Sequence, residues 1–236
     1  MLQWNNLPHI SISADDFDDL FVTRPLNDIT ASSDRLCADQ RLLEPRNTAF
    51  PKAYRKHGAS ILVCHDMAGG YHSDSFHYGG SYEYAYQLLH TQQVDSFCYF
   101  SHHLISIPPL SWQALCRHHN IDIYGTLLTE WEAGEIKCSE LFASESSALK
   151  LAASLKQLAE KHSLDGWLIN IENKLRDEQM HNVLQMLQHL RSGTIRVIWY
   201  DAVTSAGELI WQNALNENNA AFAKAAGSVL LNYCWT

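Results

Sequence analysis

From about residue 60 onward, six short apolar runs alternate with helix-period stretches, and this alternation limits the fold more than any other feature. The runs cover residues 60–64, 96–100, 121–128, 167–169, 195–200 and 228–231. Each is of strand length and rich in β-branched or aromatic residues. Between them, residues 148–162 place Leu151, Leu155 and Leu158 on one helical face. Residues 179–191 repeat the pattern with Val183, Leu184, Leu187 and Leu190, while Asp177 and Glu178 favour the helix start and Gly193 its end. Stretches 82–90, 112–119 and 216–226 are weaker helix candidates. Strand and helix in regular alternation predict parallel strands joined by crossover helices.

Polar residues gather at or just after the strand ends: His65 and Asp66, Ser101 to His103, Thr129 to Trp131, Asn170 and Glu172, Asp201, and Asn232. In a (β/α)8 barrel, that rim is where active sites are built. A doubly wound sheet shares the local pattern, but no GxGxxG or GxxxxGK[ST] follows any strand here. The expected class is therefore α/β, a (β/α)8 TIM barrel-like fold with about six βα units present. A complete barrel usually needs ~250 residues, so the expectation is a barrel without its last two βα units. Pro8, Pro25, Pro45 and Pro51 break up the polar start. This predicts an irregular segment over 1–58 and the partial barrel over 59–236.

Bulk properties narrow the function classes. A formal net charge of −9 disfavours a nucleic-acid partner, whose phosphates would be repelled. The six cysteines form no CxxC pair, and several lie in apolar runs, which predicts buried free thiols in a reducing compartment. Asp15, Asp16, Asp18 and Asp19 interrupt any apolar leader, and no run approaches ~18 apolar residues. The expectation is a cytoplasmic protein with no membrane span. Thirteen histidines are scattered, and the adjacent pairs His102-His103 and His118-His119 cannot share one helical face as i, i+4 ligands do. No metal and no cofactor are expected.

The segment DGWLINIEN (165–173) carries the most chemistry. On a strand, Asn170 and Glu172 point the same way, one above the other. A carboxyl group flanked there by Ile169, Ile171 and nearby Trp residues is partly desolvated, and its pKa is expected to rise towards the range that suits protonation of a glycosidic oxygen. A neutral amide two residues away offers donor and acceptor without charge. That suits holding a substrate's acetamido group as it attacks the anomeric carbon, a known exception to two-carboxylate glycosidases. Read blandly, Glu172 is a solvated loop residue and Asn173 a turn former.

The strings LVCHDMAGGY (62–71), YFSHHLISIPPLSW (99–112), GTLLTEW (125–131), DGWLINIEN (165–173), WYD (199–201) and LNYCW (231–235) together resemble glycoside hydrolase family 85. These are endo-β-N-acetylglucosaminidases that cut the chitobiose core of N-linked glycans. The resemblance implies that Glu172 is the general acid/base, that Asn170 orients the 2-acetamido group towards an oxazolinium intermediate, and that Tyr200 also contacts that group. It implies sugar contacts for Trp211 and Trp235, and further substrate contacts for His65, His102, Glu130, Trp131 and Asn232. N-linked glycans or free oligosaccharides are the implied partners. Asp66 and Asp201 are expected to cap following helices.

Two other readings stand beside this one. The chain could be a truncated, inactive relative with at most glycan-binding capacity, able to self-associate through open barrel edges. It could instead be a family 18 chitinase-like hydrolase, although Asn170 stands where that motif carries Asp.

Overall fold

In the computed structural model of the chain, the described residues are 11–12, 45–49, 58–66, 86–232 and 234. They fall into two compact units, one running to Gly125 and the other starting at Thr126.

In the first unit, a two-residue strand β1 (Ser11–Ile12) pairs antiparallel with β4 (Ile105–Ser106). Strands β2 (Leu62–Asp66), β3 (Ser96–Phe100) and the start of β5 (Asp122–Glu130) run parallel, with Val63 opposite Phe97 and Phe97 opposite Ile123. Parallel neighbours need a crossover, and helix α1 (Leu110–His118) supplies the one between β3 and β5. It buries Leu110, Trp112 and Cys116. Ahead of β5, Arg46 donates to the Ile121 carbonyl at 3.0 Å and pairs with Asp122 at 3.2 Å.

Strand β5 carries the chain into the second unit, which continues with α2 (Trp131–Leu141), α3 (Glu145–His162) and β6 (Gly166–Glu172). Then come α4 (Asp177–Arg191), β7 (Arg196–Tyr200), α5 (Ala220–Ala226) and β8 (Val229–Leu230). Strands β6, β7 and β8 pair in parallel, with Ile169 opposite Trp199 and Trp199 opposite Val229. Because side chains alternate along a strand, this register sorts the residues. Trp167 and Trp199 take the helix-facing side: the Trp167 indole donates to the Leu155 carbonyl of α3 at 2.9 Å, and the Trp199 ring stacks on Phe222 of α5 at 4.3 Å. Leu168, Asn170, Glu172, Ile198 and Tyr200 occupy the opposite side.

The fold is α/β, with the parallel strand–helix units of a (β/α)8 TIM barrel. Among the described residues, strands β2, β3, β5, β6, β7 and β8 match the six apolar runs. Strand β6 extends beyond 167–169 to both sides, so Asn170 and Glu172 lie on the strand itself. Among the described residues, no helix is long and apolar enough to cross a membrane.

In α3, Leu151, Leu155 and Leu158 are buried, and Ser144 caps the start by accepting from the Ser147 backbone N–H. In α4, Val183, Leu187 and Leu190 are buried with Met186, whereas Leu184 is half-buried. Residues 86–90, the described part of stretch 82–90, are not helical; Tyr86 is 45% and Leu89 73% exposed, so no apolar face is buried to support a helix. Helix α5 begins only at Ala220, because residues 212–219 form a hydrogen-bonded loop around Asp201. Helix α2 has no counterpart among the expected helices. Its buried positions are Gly134, Cys138 and Leu141, two of them too small to print a strong apolar stripe.

The cysteine expectation divides. Cys98, Cys116 and Cys138 are buried free thiols, but Cys64 and Cys234 are free and exposed. Cys64 alternates outward on β2, which leaves its side chain at the surface.

Candidate active site

Asn170 is 1% exposed and Glu172 is intermediate, at the C-terminal end of β6. The Asn170 amide Nδ2 donates to Glu172 Oε2 at 3.3 Å. Such a contact holds the carboxylate in one orientation and leaves the Asn170 carbonyl oxygen to accept from another partner. Tyr200 follows Trp199 as Asn170 follows Ile169, so the two lie level on adjacent strands, about 4.8 Å apart along the hydrogen-bonding direction. Three polar side chains thus share one side of the β6–β7 pair.

Tyr200 is held from the segment that follows β8. Its hydroxyl donates to Asn232 Oδ1 at 3.1 Å, and Asn232 Nδ2 donates to Asn213 Oδ1 at 3.0 Å. Asn213 adopts φ 55°, a left-handed conformation that Asn tolerates better than most residues. Asp201 braces this turn. It is fully buried, and its Oδ2 accepts from the backbone N–H groups of Gln212 and Asn213 at 3.1 and 2.9 Å. Its Oδ1 accepts from Asn219 Nδ2 at 2.9 Å. The expected helix cap is therefore corrected: Asp201 closes the loop of residues 202–219 and caps no helix.

Beneath Glu172, Asn173 is 1% exposed, so it is no surface turn former. Its Nδ2 donates to the Lys174 carbonyl at 2.9 Å and to Cys138 Sγ at 3.4 Å. Thr129 Oγ1 lies 3.4 Å from the same sulfur. Burial pushes the Cys138 thiol pKa up, against the hydrogen bonds from Thr129 and Asn173, so it stays protonated. Gly134 makes this knot possible, because a Cβ there would collide with the Asn173 amide.

Glu130 and Trp131 mark the passage from β5 to α2. Glu130 is half-buried, and Trp131 is 64% exposed with φ 55°. A bulky residue in that region is a strained outlier. Trp211 is half-buried in the loop braced by Asp201, with its indole nitrogen buried. In the first unit, His65 sits among Tyr86, Phe97, Tyr99 and Trp112, with ring centroids 5.1 to 5.9 Å away. His102 pairs with Asp66 at 3.3 Å, which gives that carboxylate a partner at the strand end. Trp235 lies outside the described residues.

Asn213, Asn219 and Gly134 belong to none of the motifs that mark the site in the sequence. The asparagine-rich run from Asn213 to Asn219 was a signal for turn chemistry. Gly134, inside a helix, had no signal beyond its own unfavourable propensity.

The "Cytosolic endo-beta-N-acetylglucosaminidase 2" of Arabidopsis thaliana is 40% identical over 182 residues, covering 74% of this chain and 26% of that protein. The Homo sapiens and Mus musculus "Cytosolic endo-beta-N-acetylglucosaminidase" proteins are each 35% identical over 227 residues, covering 90% of this chain and 31% of theirs. The chain thus spans about a quarter to a third of the length of these relatives. A chitinase from Rhizomucor miehei superposes with a TM-score of 0.42 at 16% identity, over 61% of this chain and 51% of that one, a likeness too slight to carry an argument. The sequence profile of glycosyl hydrolase family 85 matches residues 71–236, and the chain belongs to that family.

Proposed function

We propose that the chain carries the catalytic strand of an endo-β-N-acetylglucosaminidase that hydrolyses the GlcNAc-β1,4-GlcNAc core of N-linked glycans. The observation that supports this most is the Asn170–Glu172 hydrogen bond, 3.3 Å long, with Tyr200 level on the next strand. In this reading, Glu172 protonates the oxygen of the leaving GlcNAc. The acetamido carbonyl oxygen of the other sugar then attacks its own anomeric carbon and closes an oxazolinium ring. Asn170 accepts the acetamido N–H through its free carbonyl oxygen, which raises the nucleophilicity of the attacking oxygen. Tyr200 positions the same group. Glu172, now a carboxylate, takes a proton from the water that opens the ring, so the anomeric configuration is retained.

Trp211 and Trp235 offer flat faces for sugar rings in this reading, and His65, His102, Glu130, Trp131 and Asn232 contribute to substrate binding. Residues 59–236 are read as the partial barrel and 1–58 as an N-terminal segment, from which the strand Ser11–Ile12 pairs with β4. The names of the relatives support a cytosolic location. No step needs a metal or a cofactor. A family 18 chitinase-like reading is not favoured, since the profile and the relatives alike point to family 85.

The test is release of a high-mannose glycan from a glycopeptide, leaving one GlcNAc on the asparagine. Glu172→Gln is expected to lower the rate by at least about 10²-fold, the scale of general acid/base catalysis. Asn170→Gln is expected to lose hydrolysis but keep turnover of a synthetic sugar oxazoline, which bypasses ring closure. Equal activity of wild type and both variants would sink the assignment. Glycopeptide binding without release by the wild-type chain would make it a glycan-binding relative without turnover.

A further inference from the structure

We infer that Asn213 is a positioning residue for Tyr200, acting through Asn232. The inference rests on the reading of Tyr200 proposed above and extends it to the loop of residues 202–219. The path runs from buried Asp201, whose carboxylate grips the backbone N–H groups of Gln212 and Asn213. That grip holds the left-handed turn from which the Asn213 side chain reaches Asn232, its Oδ1 accepting from Asn232 Nδ2 at 3.0 Å. An amide that donates from Nδ2 in a fixed direction must present Oδ1 in the opposite one. Here Oδ1 meets the Tyr200 hydroxyl at 3.1 Å. Without Asn213, no other contact among the described residues chooses between the two flipped orientations of the Asn232 amide. In the flipped form, an N–H₂ group faces Tyr200 and reverses the direction of its hydrogen bond. Asn213 thus fixes which way the Tyr200 proton points, and Asp201 holds Asn213 in place to do so.

The chemistry of the turn provides a clean variant. At φ 55°, glycine keeps the backbone while removing only the amide, so Asn213→Gly deletes the contact without straining the loop. Asn213→Asp keeps an oxygen that can accept from Asn232. On glycopeptide hydrolysis, Asn213→Gly is expected to lower kcat by on the order of tenfold, the weight of one hydrogen bond, with KM changed less than about twofold. Asn213→Asp should recover most of that loss. In a Tyr200→Phe background, Asn213→Gly should cost nothing further, because the group it orients is gone.

A second readout needs no turnover. The Asn232 side-chain amide resonances, identified by their loss in Asn232→Ala, should shift in Asn213→Gly and return towards their wild-type position in Asn213→Asp. If wild type releases no glycan, the enzymatic reading fails and these resonances alone decide the relay. Unmoved resonances in Asn213→Gly, or a tenfold loss that persists in the Tyr200→Phe background, would overturn the inference.

Discussion

Replacing Gly134 by alanine sets two effects of opposite sign against each other. Alanine is the better helix former by about 1 kcal/mol, and Gly134 lies within α2, so propensity alone predicts stabilisation. The packing opposes it. A Cβ at Gly134 would overlap the Asn173 amide oxygen and lie 3.0 Å from both Asn173 Cγ and the backbone carbonyl carbon of Thr129. The Thr129 backbone is part of β5 and cannot give cheaply. Asn173 must therefore move, and it is 1% exposed, with donations to the Lys174 carbonyl at 2.9 Å and to Cys138 Sγ at 3.4 Å. Weakening these contacts costs about 2–4 kcal/mol, so the net expectation is a loss of about 1–3 kcal/mol. Urea denaturation reads this as a lower midpoint at an unchanged slope. A double-mutant cycle separates the causes: with Asn173→Ala, the clashing amide is absent and the cost of Gly134→Ala should fall by about 1–2 kcal/mol. A Gly134→Ala protein as stable as wild type, or one that loses the same amount in both backgrounds, would refute the reasoning.

Further outcomes follow from the same geometry. Asp201→Ala removes the buried acceptor shared by two backbone N–H groups and the Asn219 amide, and is expected to cost about 2–4 kcal/mol in chemical denaturation. A loss below about 1 kcal/mol would mean that the loop is not held by this carboxylate. Thiol labelling of the native chain is expected to modify Cys64 and Cys234 quickly but Cys98, Cys116 and Cys138 only after unfolding. Cys138 should still resist labelling at mildly alkaline pH, since burial holds its thiol in the protonated form. Native labelling of Cys138 at the rate of Cys64 would contradict its placement.

The local sequence determined a good deal of this protein. Period-two and period-3.6 patterning set the α/β class and most element positions, because those periods report which side of a strand or helix is buried. Adjacency in a short motif also sufficed for Asn170 and Glu172, since alternation on one strand places them together without reference to the rest of the chain. Only the tertiary structure decided what is non-local. The level placement of Tyr200 beside Asn170 depends on the β6–β7 register. The chain of hydrogen bonds from Asp201 through Asn213 and Asn232 to Tyr200 joins residues up to 32 apart in sequence, and no periodicity encodes such contacts. Helix α2 shows the same limit, because its core face is built from Gly134 and Cys138, small residues that are buried only because Asn173 and Thr129 pack against them.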